Sequence, residues 1–394
     1  MNAIRCYLKP EKEKPIEGFH PWIFSGAIDK IDEDYKAGDL VKVYSSQNRF
    51  LGTGYLNPRS QIAIRMLSFD ESEVNEKFFE RRIRKAIRLR ARFVPELTDS
   101  YRLIHSEGDD LPGLIVDRYA DFLVVQFQTA GIERWKPVIV SILEKELLIR
   151  GIFEKDDTEA REWEGLAPRI GKLSGDDPPD FIQIQEHGNK FLVDPHQGQK
   201  TGFFLDQREN RKLIGSMSHG KRVLNCFSYS GGFSIYAAAG GALETVSVDS
   251  SEPALNTAKS NFELNGFSLS QNSFLKTDVF QYLRDSRQEF DLIVLDPPAF
   301  CKGKQQVQQA SRGYKDINFY ALKRLAPGGV LYTASCSSYI DPDLFRKIIF
   351  AAAKDARRSL RIVTKTSHSF DHPINIFHPE GEYLKGLLCV ADLD

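Results

Sequence analysis

From about residue 190 onward, short apolar runs alternate with amphipathic stretches, and no other feature constrains the fold as tightly. Residues 223–224, 245–248, 273–276, 290–295 and 329–334 read as strands, with helices at 233–239, 252–265, 314–325 and 344–357. Strands that are apolar throughout must be covered on both faces. Intervening helices achieve this when successive strands run parallel. The expected fold class is α/β, a doubly wound parallel sheet filling residues 186–394.

Two further regions precede it. Residues 1–70 hold three runs with period-two alternation, 40–44, 50–55 and 62–67, punctuated by Gly, Asn and Pro. They read as a small β-barrel-like module. Residues 71–185 form a central α+β region that opens with a basic helix, where seven of the twelve residues from Arg81 to Arg92 are Arg or Lys. Arg84 and Arg88 on this helix are candidates to neutralise phosphates. The alternative is a solvated helix face, since Ile83, Ile87 and Leu89 interleave the charges. A strand pair at 113–117 and 122–127, a helix at 132–148 and a loop at 171–179 complete the region.

The net charge of −1 gives no basic field over the whole molecule. No run approaches the roughly 18 consecutive apolar residues of a membrane span, and the first residues show no signal-peptide core. A cytoplasmic protein is expected. Five widely spaced cysteines argue against a disulfide framework and against a structural zinc site, and the eight histidines show no metal-ligand spacing. No metal is expected.

In open parallel sheets, ligands bind beyond the carboxyl ends of the strands, where the strand order reverses. The first strand here ends in Asn225-Cys226-Phe227-Ser228-Tyr229-Ser230-Gly231-Gly232. Paired glycines let the backbone pass close to a ligand as the next helix begins, so Asn225, Phe227, Ser228, Gly231 and Gly232 are candidate cofactor contacts. Asp249, ending the second strand, is placed to accept hydrogen bonds from ribose hydroxyls. The loop lacks the G-x-G-x-x-G spacing that fits a pyrophosphate. Asp278 follows the third strand, on the adenine side. Asp296-Pro297-Pro298 ends the fourth, and its prolines hold Asp296 extended, facing a flat nitrogenous base. This combination favours S-adenosylmethionine over a dinucleotide.

Cys336 follows the fifth strand, beside the Asp296 turn in such a sheet. Carbon 5 of cytosine is a poor nucleophile until a thiolate adds to carbon 6. A cysteine there points to that chemistry, with Asp296 as the polar group near nitrogen 3. The ordinary fate of a free cysteine is burial as a small hydrophobe. Cys301 is the rival nucleophile, and Cys226 reads as packing.

Longer motifs carry a resemblance. The run from Gly198 through Lys200 and Gln207 to Arg211, the Asn225–Gly232 loop, Asp296-Pro297-Pro298-Ala299-Phe300, Arg312-Gly313-Tyr314-Lys315-Asp316, Ser335-Cys336-Ser337 and Glu382-Tyr383-Leu384-Lys385-Gly386 resemble RlmI-type 23S ribosomal RNA (cytosine-C5)-methyltransferases. The resemblance covers almost the whole chain. It implies an N-terminal PUA RNA-binding domain and a C-terminal Rossmann-like methyltransferase domain. It also implies 5-methylcytidine formation in 23S ribosomal RNA or a large-subunit precursor, with Cys336 and Asp296 at the family's catalytic positions. Lys200, Phe300, Tyr314 and Lys315 fall on the substrate side, Tyr314 to stack on a base and Lys315 to meet a phosphate; the alternative for the Tyr314–Lys315 segment is an ordinary amphipathic helix start. The target cytosine must be unpaired or flipped out. A homodimer is left open. Two other readings compete: methylation of a ring or exocyclic nitrogen with Cys336 structural, and a non-catalytic RNA-binding ribosome-assembly factor.

Overall fold

The computed structural model describes residues 4–32 and 34–392. The chain divides into two compact units. The first comprises Met1–Ile184, Val193–Leu205 and Phe370–Gly381; the second comprises Gln185–Leu192, Asp206–Ser369 and Glu382–Asp394. Among the described residues no helix is long and apolar enough to cross a membrane.

The first unit begins with β1 (Ile4–Leu8), α1 (Lys14–Glu17), β2 (Trp22–Phe24), β3 (Ile28–Ile31), β4 (Asp39–Tyr44), β5 (Phe50–Leu56) and β6 (Ile62–Ser68), arranged as a six-stranded sheet in the order β2-β6-β5-β4-β1-β3. Its core gathers the alternate residues of these strands, among them Cys6, Leu8, Ile23, Val41, Val43, Ile64 and Met66. The period-two reading of 40–44, 50–55 and 62–67 matches β4, β5 and β6 to within two residues.

Next come α2 (Glu76–Phe93), β7 (Ser100–His105), β8 (Leu114–Tyr119), β9 (Phe122–Phe127), α3 (Ala130–Arg134), α4 (Lys136–Glu146), β10 (Gly151–Asp156), α5 (Glu159–Trp163) and β11 (Arg169–Gly175), with a sheet in the order β11-β10-β9-β8-β7. Two expectations are corrected here. The single helix at 132–148 is broken at Trp135, because Pro137 lacks an N–H donor and starts a new helix in its first turn. The loop at 171–179 is strand up to Gly175. There β11 is an edge strand paired antiparallel with β10, a position that tolerates Gly, Ser and Lys. The chain first leaves and re-enters this unit in the hairpin of β12 (Ile182–Glu186) and β13 (Asn189–Val193), and changes unit again after Leu205, Ser369 and Gly381.

The second unit contains α6 (Arg208–Ser216), β14 (Arg222–Cys226), α7 (Gly232–Ala239), β15 (Glu244–Asp249), α8 (Glu252–Leu264), β16 (Asn272–Lys276), α9 (Val279–Asp285), β17 (Phe290–Leu295), α10 (Val307–Arg324), β18 (Leu325–Ser335), α11 (Pro342–Ala356), β19 (Leu360–Thr366) and β20 (Lys385–Ala391). Seven strands lie in the order β16-β15-β14-β17-β18-β20-β19. Successive residues of each central strand serve opposite cores. Leu224, Cys226, Ile293, Leu295 and Leu331 pack with α9, α10 and α11, whereas Val223, Leu292, Val294 and Tyr332 pack with α6 and α7. The expected α/β sheet is present, with one departure from parallel order: β20 runs antiparallel between β18 and β19. The order reverses between β14 and β17, which brings the loops after these strands together at the carboxyl edge.

Candidate active site

The loop after β14 is held in a strained shape. Phe227, Tyr229 and Gly231 have φ of 60°, 47° and 80°. For Phe and Tyr the left-handed region costs roughly 1–2 kcal/mol each, and such strain gathers at ligand sites. Asp249 supports the shape: one carboxylate oxygen accepts from the Tyr229 N–H and the other from the Ser251 N–H, both at 2.9 Å. An ionised carboxylate has lone pairs beyond these two bonds, so it retains capacity for ribose hydroxyls. Within the loop the Ser228 hydroxyl is buried without a hydrogen-bond partner. That orphaned oxygen at the carboxyl edge fits a bound polar ligand. Gly231 begins α7 at a φ that only glycine adopts without cost, and Gly232 follows within the first turn.

Half-buried phenylalanines wall the same edge. Phe227, Phe280 and Phe300 stand 5.8–6.5 Å apart between ring centres. Phe280, two residues past Asp278, was not picked out from sequence. Asp278 is exposed and caps α9 by accepting from the Gln281 N–H.

Asp296 closes β17. Gln207 Nε2 donates to its Oδ1 at 2.7 Å, while the Gln207 carbonyl accepts from Asn210 at 2.6 Å and from the Tyr332 hydroxyl at 3.2 Å. The two donors fix the amide orientation and so fix the carboxylate. Gln207 belongs to the Gly198–Arg211 motif, but only the fold brings its amide to Asp296.

β17 and β18 are parallel neighbours with Leu295 opposite Thr333, so Cys336 emerges beside the Asp296 turn. Its sulfur lies 3.9 Å from the Pro297 carbonyl oxygen. Cys336 is partly exposed, whereas the other four cysteines are buried, Cys301 among them. Burial pushes the thiols of Cys6 and Cys389 up to about 12 and raises that of Cys226 as well.

Two assignments are corrected. Tyr314 cannot stack on a base, because its ring is fully buried. Its hydroxyl lies 2.9 Å from both Ser335 Oγ and Ser337 Oγ, clamping the turn that carries Cys336, and burial raises its phenol. Lys315 pairs with Asp355 near the end of α11, remote from the strands' carboxyl edge. Asn225 is wholly buried and donates to Ser234 Oγ, anchoring α7, while its Oδ1 is left without a hydrogen-bond partner. In the first unit, Lys200 is exposed with its ammonium over the Phe204 ring. On α2, Arg84 pairs with Glu80 and Glu146. Arg88 is exposed, with no ion-pair partner among the described residues.

A reversed-order sheet with this loop, Asp249 and the Asp296 turn defines an S-adenosylmethionine-dependent methyltransferase. Residues 168–375 match the family described in those words, and residues 7–69 match a PUA-like domain. A curated protein of Aeromonas salmonicida, named ribosomal RNA large subunit methyltransferase I, is 46% identical over 99% of this chain and 100% of its own length. One of the same name from Photobacterium profundum is 44% identical over 97% of this chain and 98% of its own. The chain belongs to the ribosomal RNA large subunit methyltransferase I family. Among solved structures, SMU.776, a methyltransferase complexed with SAH, aligns with a TM-score of 0.85 at 26% identity, covering 99% of this chain and 100% of that one.

Proposed function

We propose that the protein methylates carbon 5 of a cytosine in large-subunit ribosomal RNA, with Cys336 as covalent nucleophile. The observation that carries this is the position of its sulfur, partly exposed and 3.9 Å from the Pro297 carbonyl at the carboxyl edge. The PUA-like module within residues 1–70 and exposed cations such as Arg88 and Lys200 serve RNA binding. Residues 71–185 form the central part, and residues 186–394 hold the chemistry. The Phe227 loop, Ser228, Gly231, Gly232, Asp249, Asp278 and the Asp296-Pro297 turn hold S-adenosylmethionine, which when bound supplies an electrophilic methyl group.

The chain's own residues do the rest. The Cys336 thiolate forms a bond to carbon 6, and the ring's electron density moves towards nitrogen 3 and carbon 5. Asp296, fixed by Gln207, meets the nitrogen 3 side of the ring, and Phe300 borders the base. After carbon 5 is methylated, loss of its proton to a base expels the thiolate and restores the aromatic ring.

Cys336→Ala should abolish turnover on unmodified ribosomal RNA while leaving cofactor affinity nearly unchanged. Turnover is read as labelled 5-methylcytidine by nucleoside mass spectrometry. Activity retained in that variant, or a product methylated on nitrogen, would remove the covalent reading.

A further inference from the structure

A buried cation stands at the turn that carries the proposed nucleophile. Lys385 opens β20 and lies opposite Ser335, the residue before Cys336, in the antiparallel register with β18. Its side chain is 7% exposed. Two of its three donors are engaged, with Nζ 2.7 Å from the Ser337 carbonyl oxygen and 2.6 Å from that of Ile340. Both carbonyls belong to the turn leaving β18 through Cys336. Among the described residues no carboxylate pairs with this ammonium.

A buried ammonium held only by carbonyls is costly, so a strand that carries one at this spot needs a reason to keep it. Burial lowers the Lys385 pKa, and Cys336, then Asp341 and Glu382, pull it back up. Such coupling is reciprocal: a thiolate that favours the ammonium is favoured by it. The Tyr314 phenol also faces the sulfur, and the Pro297 carbonyl oxygen lies 3.9 Å from it.

Resting on the reading of Cys336 as nucleophile, we propose that Lys385 is a positioning residue that ties down the Cys336 turn and keeps its sulfur ionised near neutral pH. The proton lost on ionisation passes to solvent, and Lys385 itself stays protonated throughout.

Alkylation of Cys336 by iodoacetamide in the full-length protein, followed across pH by peptide mass spectrometry, tests this without methyl transfer. The wild-type midpoint should lie below the roughly 8.5 of an ordinary cysteine. Lys385→Met should raise it, slowing alkylation at neutral pH on the order of tenfold, and Lys385→Arg should restore it. A wild-type midpoint at or above the ordinary value overturns the proposal, as does an unchanged midpoint in Lys385→Met. If the Met variant does not fold, the wild-type midpoint alone decides. An active Cys336→Ala enzyme would sink the covalent reading separately, since the alkylation result does not depend on turnover.

Discussion

Replacing Glu154 by glutamine should remove a pH dependence built into the core of the first unit. Carboxylate oxygens of Glu133, Glu154 and Asp156 lie within 4.8 Å of one another. Lys136 is 2.8 Å from Glu133 and 2.5 Å from Glu154, and Arg161 is 2.8 Å from Glu133 and 2.9 Å from Asp156. Three carboxylates thus crowd together, faced by Lys136, by Arg161 and, from the exposed side, by Arg169 at 3.6 Å from Glu133. Asp156 is wholly buried, and its carboxyl is pushed up to about 9, first by burial and then by its hydrogen bond with Glu154. In the unfolded chain an aspartate titrates near 3.9. Between these values the folded state holds the extra proton. The resulting stability is fully present below about pH 4 and is lost as pH rises towards 9, by about 1.4 kcal/mol per pH unit. From pH 6 to pH 8 the loss comes to about 2–3 kcal/mol. Glutamine supplies a permanent N–H to Asp156 while its carbonyl still accepts from Lys136, so Glu154→Gln should flatten the profile. Trp22, Trp135 and Trp163 are the only tryptophans, and all lie in this unit. Urea unfolding followed by tryptophan fluorescence therefore reads the first unit alone. Equal pH dependence in wild type and Glu154→Gln would refute the shared proton.

Asp249→Asn removes a charge and turns an amide donor towards one of the Tyr229 and Ser251 N–H groups. Hydrogen bonds to charged groups contribute roughly 1.5–3 kcal/mol, so calorimetry should show SAH binding weakened at least tenfold, and undiminished affinity would count against the loop as the cofactor cradle. Charge reversal at Arg88 should weaken RNA binding more than reversal at Arg84, because Arg84 already satisfies Glu80 and Glu146. Filter binding across salt should show the Arg88→Glu slope flattened by about one unit, whereas unchanged slopes in both variants would make α2 a solvated face.

What the sequence revealed follows from where burial is two-sided. β17 matches its expected span of 290–295 because from Leu292 to Leu295 both faces meet hydrocarbon, leaving a run of four buried apolar residues broken only by Asp291 near its start. The adjacency of Asp296 and Cys336 followed from strand order alone. β19 escaped notice because it is an edge strand whose residues are largely exposed, and β20 because it opens with Lys and Gly. The first half of α10, Gln-rich and interrupted by Gly313, carries little apolar periodicity. Tyr314 was misassigned because a helix position does not say which way the helix faces the sheet. Gln207, Phe280 and Lys385 reach the site from elements distant in sequence from its other residues, and a hydrogen bond or ring contact between such elements leaves no periodic trace.

The antiparallel strand explains why Lys385 can be where it is. In a parallel sheet each strand offers its last residues to the catalytic edge, and the loops that follow carry the functional groups. β14, β15, β17 and β18 do so here with the Phe227 loop, Asp249, Asp296 and Cys336. A strand running the other way offers its first residue instead. β20 starts at the level where β18 ends, with Lys385 paired to Ser335, so its buried cation arrives from the strand interior rather than from a loop. A loop lysine would be solvated and free to wander; one at the head of a strand is held by its pairing with Ser335 on β18 and, one residue on at Gly386, by the pairing of its strand with β19. If Lys385 served only to brace the turn, a neutral donor of similar reach would suffice and the thiol's titration would be indifferent to the exchange. The charge matters only if the sulfur beside it must be ionised.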